Sequence, residues 1–395
     1  IDLLMNIPQV NVTEDPYYGT MAKEKQHYRC RPMFCKAMIT AFLCSFFITP
    51  TVSATEYVLN AASIEEFKGG IRYDGEGELI IEIEDDVTIA GGGNAGIESA
   101  APVTIRSATE RTLTIVVDSD EELLYGIKAP SITIESGNVD ITVHGKNDSG
   151  ASNAFGIHAA SGNVTISGGS VFTTVETAAH KNKGIYALRF INISGGLVTA
   201  YQRGGSNTFG LDGGNVETDS ADDGVIISGG LVVVNSSGGA ARNYGIDSRF
   251  GTVKISGDAV VFICEDESGR ADNYVYNEDV TTISGGNAVV FASVGGNYTL
   301  CEDAVLTQNA MLLPGGAFEI PAGRTLGISG GAYLVQPEGA TLLFGEGYGA
   351  FEYPGSAPEG GMTIYAGEEP VQQAPALVAG LLAGLGAAAL LRRKQ

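Results

Sequence analysis

The chain has 395 residues and a formal net charge of −23, with 55 glycines, 13 prolines and no tryptophan. No Gly-X-Y period runs through it, which excludes collagen, and 44% hydrophobic residues are too many for wholesale disorder. The acidic balance argues against nucleic acid as a ligand, because phosphate binding needs a basic footprint, but it permits cation binding and a well-solvated surface.

Residues 1–20 read as sequence upstream of the natural start, with Met21 as the expected first residue. Residues 21–54 have the three parts of a signal peptide. A basic stretch runs to Lys36, an apolar run spans Ala37 to Ile48, and Val52-Ser53-Ala54 offers small residues for cleavage. The apolar run is too short to span a bilayer comfortably. Beyond it, and before the last four residues, 15 basic residues face 42 acidic ones, so the exported body carries about −27. Residues 55–95 read as an N-terminal cap with the first strands. Ala61–Lys68 is expected as a short helix lidding the first coil, with Ser63 at its N-cap and Glu66 three residues on.

A repeat fills residues 96–351. Each unit opens on an aromatic-Gly-aliphatic step: Tyr125-Gly-Ile127, Phe155-Gly-Ile157, Phe209-Gly-Leu211 and Tyr244-Gly-Ile246, with Gly184-Ile185 as a variant. A second strand ends in Ile-Ser-Gly-Gly or a near copy, and a third follows at once, as in Ser170–Val175 and Leu197–Tyr201. The repeated Ile falls at 134, 166, 193, 227, 255 and 283, in steps of 32, 27, 34, 28 and 28 residues. That is a solenoid period. Short strands alternating inward aliphatic with outward polar residues, three per unit, predict a parallel β-helix whose stacked units share one core. The Gly-Gly pair makes the corner. Phe318–Gly323, Arg324–Gly330 and Gly339–Phe344 read as narrower final coils.

These motifs resemble the pectate-lyase-like right-handed parallel β-helix superfamily. Within it, they are most similar to bacterial surface proteins described as carbohydrate-binding-domain-containing or adhesin-like; the segment Ile320–Leu334 is similar to their cap repeats. The resemblance covers about residues 60–350 and implies an all-β fold; it leaves activity open, because β-helices host lyases, hydrolases, esterases and adhesins alike.

The chain closes with a linker at 352–373, an apolar run at 374–391 and a basic tail at 392–395. The run is long enough for a single transmembrane helix, with the basic end expected on the cytoplasmic side. No LPxTG motif precedes it, so membrane retention is expected rather than attachment to the cell wall.

The loops after each third strand should stack on one edge, where solenoids usually bind. Tyr201, Arg203, Arg242 and Arg270 fall in or beside them and are candidates to stack on and hydrogen-bond a polysaccharide or a host or cell-surface glycan. The unit opening at Phe209 carries an insertion, Asp212–Gly224. Its Asp212, Glu217, Asp219, Asp222 and Asp223 are hard oxygen ligands that suit calcium. Calcium beside Arg203 or Arg242 is what a lyase of the resembled superfamily would need. His144, His158 and His180 have no triad or metal-ligand company and read as structural. Cys264 and Cys301 are either bridged between neighbouring coils or thiols. Three functions stand: a membrane-anchored surface protein that binds carbohydrate or mediates adhesion, a calcium-dependent lyase or glycoside hydrolase, and a structural spacer.

Overall fold

The computed structural model describes residues 53–365, except 92, 146–152, 179, 216–223, 266–274, 278–279, 295–296, 330–331 and 353–362. Most of the segment expected to be a signal peptide, most of the expected linker and the apolar run at 374–391 lie outside the described residues, as do Arg270, Glu217, Asp219, Asp222 and Asp223. Among the described residues, no helix is long and apolar enough to cross a membrane.

The chain winds as a parallel β-solenoid of about nine turns with three faces. Among the described residues, sheet A has nine strands, from Thr55–Leu59 to Val280–Gly286, and sheet B has eight, from Ile71–Tyr73 to Val275–Asn277. Sheet C has eleven, from Val87–Ala90 to Thr341–Leu343. The repeated isoleucines are aligned one above another in sheet A: Ile134, Ile166, Ile193, Ile227, Ile255 and Ile283 are successive register partners. The first five are completely buried. The Ser-Gly-Gly corner leads into sheet C, and its second glycine takes a left-handed conformation at Gly169, Gly196 and Gly230 (φ +70°, +80° and +81°). An L side chain there would be strained and would press on the backbone of the preceding coil.

At the near end a four-residue helix, Ile64–Phe67, carries Glu65 and Glu66 in its first turn. Ser63 occupies the expected N-cap position but caps nothing: its hydroxyl donates to the Val58 carbonyl and accepts from the Asn60 amide. Ile64 and Phe67 rest against the core.

At the far end the strand direction in sheet C reverses. Val289–Val294 pairs antiparallel with Asn297–Leu300, after which narrower coils add Ala317–Glu319 and Thr341–Leu343 to sheet C. The hairpin changes which side of the sheet is inside. Val290 and Ala292 belong to the main core, whereas Val289 and Phe291 join a second core with Tyr298, Leu300, Phe318, Leu326 and Leu334. Leu197, Leu231, Val233, Val260 and Phe262, on the outer face of sheet C, are buried in that second core. Gln308 fixes the fold-back by donating to the carbonyls of Gly230 and Asp258 (3.3 and 2.5 Å). Cys264 packs against the second core and Cys301 against the first, and both are thiols: sheet C separates the pair that the sequence left open to a bridge.

Candidate functional site

The outer face of sheet B carries the chemistry. Its central strands present two outward groups, one at the aromatic step and one three residues on, and parallel register stacks them into two columns about 4.8 Å per coil. The first column runs Tyr125, Phe155, Lys183, Phe209, Tyr244, and the second Glu98, Lys128, His158, Tyr186, Asp212, Asp247. Between the two columns the glycine and aliphatic residue of the step turn inward, so both flanking residues stay outside.

In its first half the face is aromatic. Tyr125 stacks on Phe155 at 5.3 Å between ring centroids, and His158 sits 4.5 Å from Phe155 and 5.0 Å from Tyr186. The rings cover one another, so their edges meet solvent more than their faces do. Burial, then Lys183 and Lys128, pushes His158 down to about 4, so this imidazole is neutral at physiological pH. Lys128 lies 5.0 Å from the Tyr125 ring centre and pairs with Glu98 at 2.8 Å.

In its second half the face holds a buried charge pair. Lys183 takes the place of an aromatic residue, and its Nζ lies 2.5 Å from Asp212 Oδ2, with side chains 10% and 2% exposed. The same nitrogen sits 4.0 Å from the Tyr186 ring centre and 5.4 Å from that of Phe209. Asn215 Nδ2 donates to the other oxygen of Asp212 at 2.5 Å. Asp247, opposite Asp212 on the next strand, is buried and its Oδ1 has no hydrogen-bond partner. Burial first, and then the Asp212 carboxylate, pushes Asp247 up to about 8, so it holds a proton at neutral pH. Burial and then Asp212 also raise Tyr186 to about 12.

Asp212 lies within the strand Asn207–Gly213, so the insertion starts after it, and its carboxylate is engaged by Lys183 and Asn215. The four acidic residues expected to join it around calcium are outside the described residues. No group of three metal-ligating side chains occurs among the described ones.

Three of the four candidate glycan contacts are described, and they lie on neighbouring coils near the corner between sheets C and B. Tyr201 and Arg203 point outward from the end of the sheet-C strand Leu197–Arg203, and Arg242 is exposed at the start of the sheet-B strand one coil on. The Arg203 side chain passes over Gly238, at the corner between the two sheets. Lys181, which sequence reasoning missed, starts the sheet-B strand one coil earlier, in register through Asn207 with Arg242. Lys181, Arg203 and Arg242 form no ion pair with another described residue.

Buried amides brace this corner. Asn182 Nδ2 lies within 2.9–3.1 Å of the carbonyls of Thr177, Arg203 and Gly204, and Asn243 accepts from the Thr208 hydroxyl and the Gly239 amide. These bonds fix the turns from which Arg203 and Arg242 project.

The fold is consistent with the pectate-lyase-like superfamily. No family model matches the chain, and no curated protein or solved structure shows detectable similarity to it.

Proposed function

We propose that this chain is a cell-surface protein, exported and held by its apolar C-terminal run, that binds carbohydrate along the corner between sheets C and B of a right-handed solenoid. The observation that supports it is the group of Lys181, Arg203 and Arg242 near the sheet C–sheet B corner on three successive coils, free of ion pairs with described neighbours, in a body that is otherwise strongly acidic. Long side chains without ion pairs to described residues, spread over three successive coils, suit an extended ligand rich in hydroxyl acceptors. Tyr201 adds the amphipathic ring that sugars stack on. A hydrolase reading on this face would need the two neighbouring carboxylates, Asp212 and Asp247, and both are almost fully buried.

The test is a glycan array probed with the exported body, residues 55–365, alongside the double variant Arg203→Ala/Arg242→Ala. Binding that the double variant loses by at least tenfold supports the corner site. Equal binding by both proteins, or none by either, rejects it. Product release from a bound polysaccharide would replace the binding reading with an enzymatic one.

A further inference from the structure

We propose that Lys183 and Asp212 are joined, after folding, by an intramolecular amide bond that staples two successive coils of sheet B, with Asp247 as the neighbouring acid that moves the protons.

The reactants are already in place. Lys183 Nζ is 2.5 Å from Asp212 Oδ2, and neither side chain is more than a tenth exposed. Tyr186 and Phe209 flank the amine and keep water from competing for it. Holding two reacting groups in contact replaces a bimolecular encounter by an intramolecular one, which removes most of the entropic barrier. Desolvation also disfavours the ammonium–carboxylate form relative to neutral amine and neutral acid, the reactive pair. Asn215 donates to Asp212 Oδ1 at 2.5 Å, so the oxygen that stays as the amide carbonyl is polarised while the one beside Lys183 is free to leave.

The step balances without any other reactant. A proton passes from the Lys183 ammonium to the Asp212 carboxylate, and the freed lone pair on Nζ attacks Cγ. The Cγ–N bond forms, the Cγ–Oδ2 bond breaks, and Oδ2 departs as water carrying two of the three ammonium protons. Two proton transfers, from nitrogen and to the leaving oxygen, need a group that gives one proton and takes another. Asp247 stands opposite Asp212 in the register, buried and with one oxygen unpartnered. Its hold on a proton at neutral pH fits that role.

The inference does not depend on what the surface binds. The experiment is a tryptic digest of the full chain under denaturing conditions, read by mass spectrometry. Trypsin cuts after Lys181, Arg189, Arg203 and Arg242, and an acylated Lys183 is not cut. The expected product is Asn182–Arg189 joined to Gly204–Arg242, lighter by one water than the two peptides together. Lys183→Arg and Asp212→Ala should abolish it, and Asp247→Asn should leave the two peptides unlinked in a protein whose circular dichroism is unchanged. Recovery of Gly184–Arg189 from the wild type in full yield overturns the proposal. A linked pair in Asp247→Asn would remove Asp247 from it.

Discussion

Asp247 stands opposite Asp212 on neighbouring strands of sheet B, and of the two only Asp212 forms an ion pair with a described residue, Lys183. Asp247 binds its proton more tightly in the folded chain, up to about pH 8, than in the unfolded chain, where the reference is 3.8. Its contribution to stability is fully present below the unfolded value and is lost as pH rises through the folded one. Asp247→Asn removes this dependence. Thermal melts between pH 5 and 9 should show the variant gaining on the wild type as pH rises; parallel curves would mean that Asp247 is ionised at neutral pH.

His158 behaves in the opposite sense. Its folded value is about 4 against 6.5 unfolded, so the stability it contributes is full above the unfolded value and lost as pH falls through the folded one. Its ring fills the space between Tyr125, Phe155 and Tyr186, so His158→Phe keeps the stack without the titration. The variant should hold its melting temperature on acidification from pH 7 to 4 better than the wild type. Nuclear magnetic resonance titration of the imidazole would check the same point directly, and a midpoint near 6.5 would refute it.

The solenoid was legible in the sequence because its rule is repetition. Ile134 through Ile283 are register partners where the spacing placed them, and the Gly-Gly corners take the conformation that glycine was expected to supply. The buried pair was less legible, although its signal was present. One unit puts Lys183 where the others put Tyr125, Phe155, Phe209 and Tyr244, and the residue three on is Asp in two successive units. Composition and motif reading weigh each residue by its chain neighbours, so Asp212 looked like the start of an acidic loop. Only the register shows it one coil from Lys183. The reversal at Val294 was hidden for another reason: an outward Phe262 or Phe291 reads as alternation with its phase changed, and nothing local says that a second core waits on that side.

The glycine of the aromatic step is required by space rather than by its backbone angle. A Cβ at Gly210 would lie 1.9 Å from Val234 Cγ1 and 2.5 Å from the Gly245 carbonyl oxygen, and neither neighbour is the loose end of a flexible chain. Overpacking of this kind costs about 1–3 kcal/mol. Gly210→Ala should therefore lower the urea midpoint clearly, whereas Gly69→Ala, with nothing within 4 Å of the added carbon, should leave it unchanged or raise it slightly. Equal effects at the two positions would show that the coils have slack at the step.

Phe318 is the joint between the terminal coils and the main solenoid. It is completely buried, stacked on Tyr298 at 4.7 Å, and edge-on to Phe291 and Phe262 at 5.4 and 5.7 Å. Two of those rings belong to the outer face of sheet C, so the contact ties the terminal coils to the main solenoid. Truncation to alanine removes a large buried ring and leaves a cavity, a loss of about 3–5 kcal/mol. The main core lies on the other side of sheet C, and its isoleucine stack does not touch Phe318. The loss should therefore be local. Under limited proteolysis, Phe318→Ala should be cut first beyond residue 294, leaving a resistant fragment that retains the three-sheet solenoid and its sheet-B face. Global unfolding with no such fragment would mean that the terminal coils hold the whole solenoid together, and the outer face of sheet C would then be essential to the fold rather than an attachment surface.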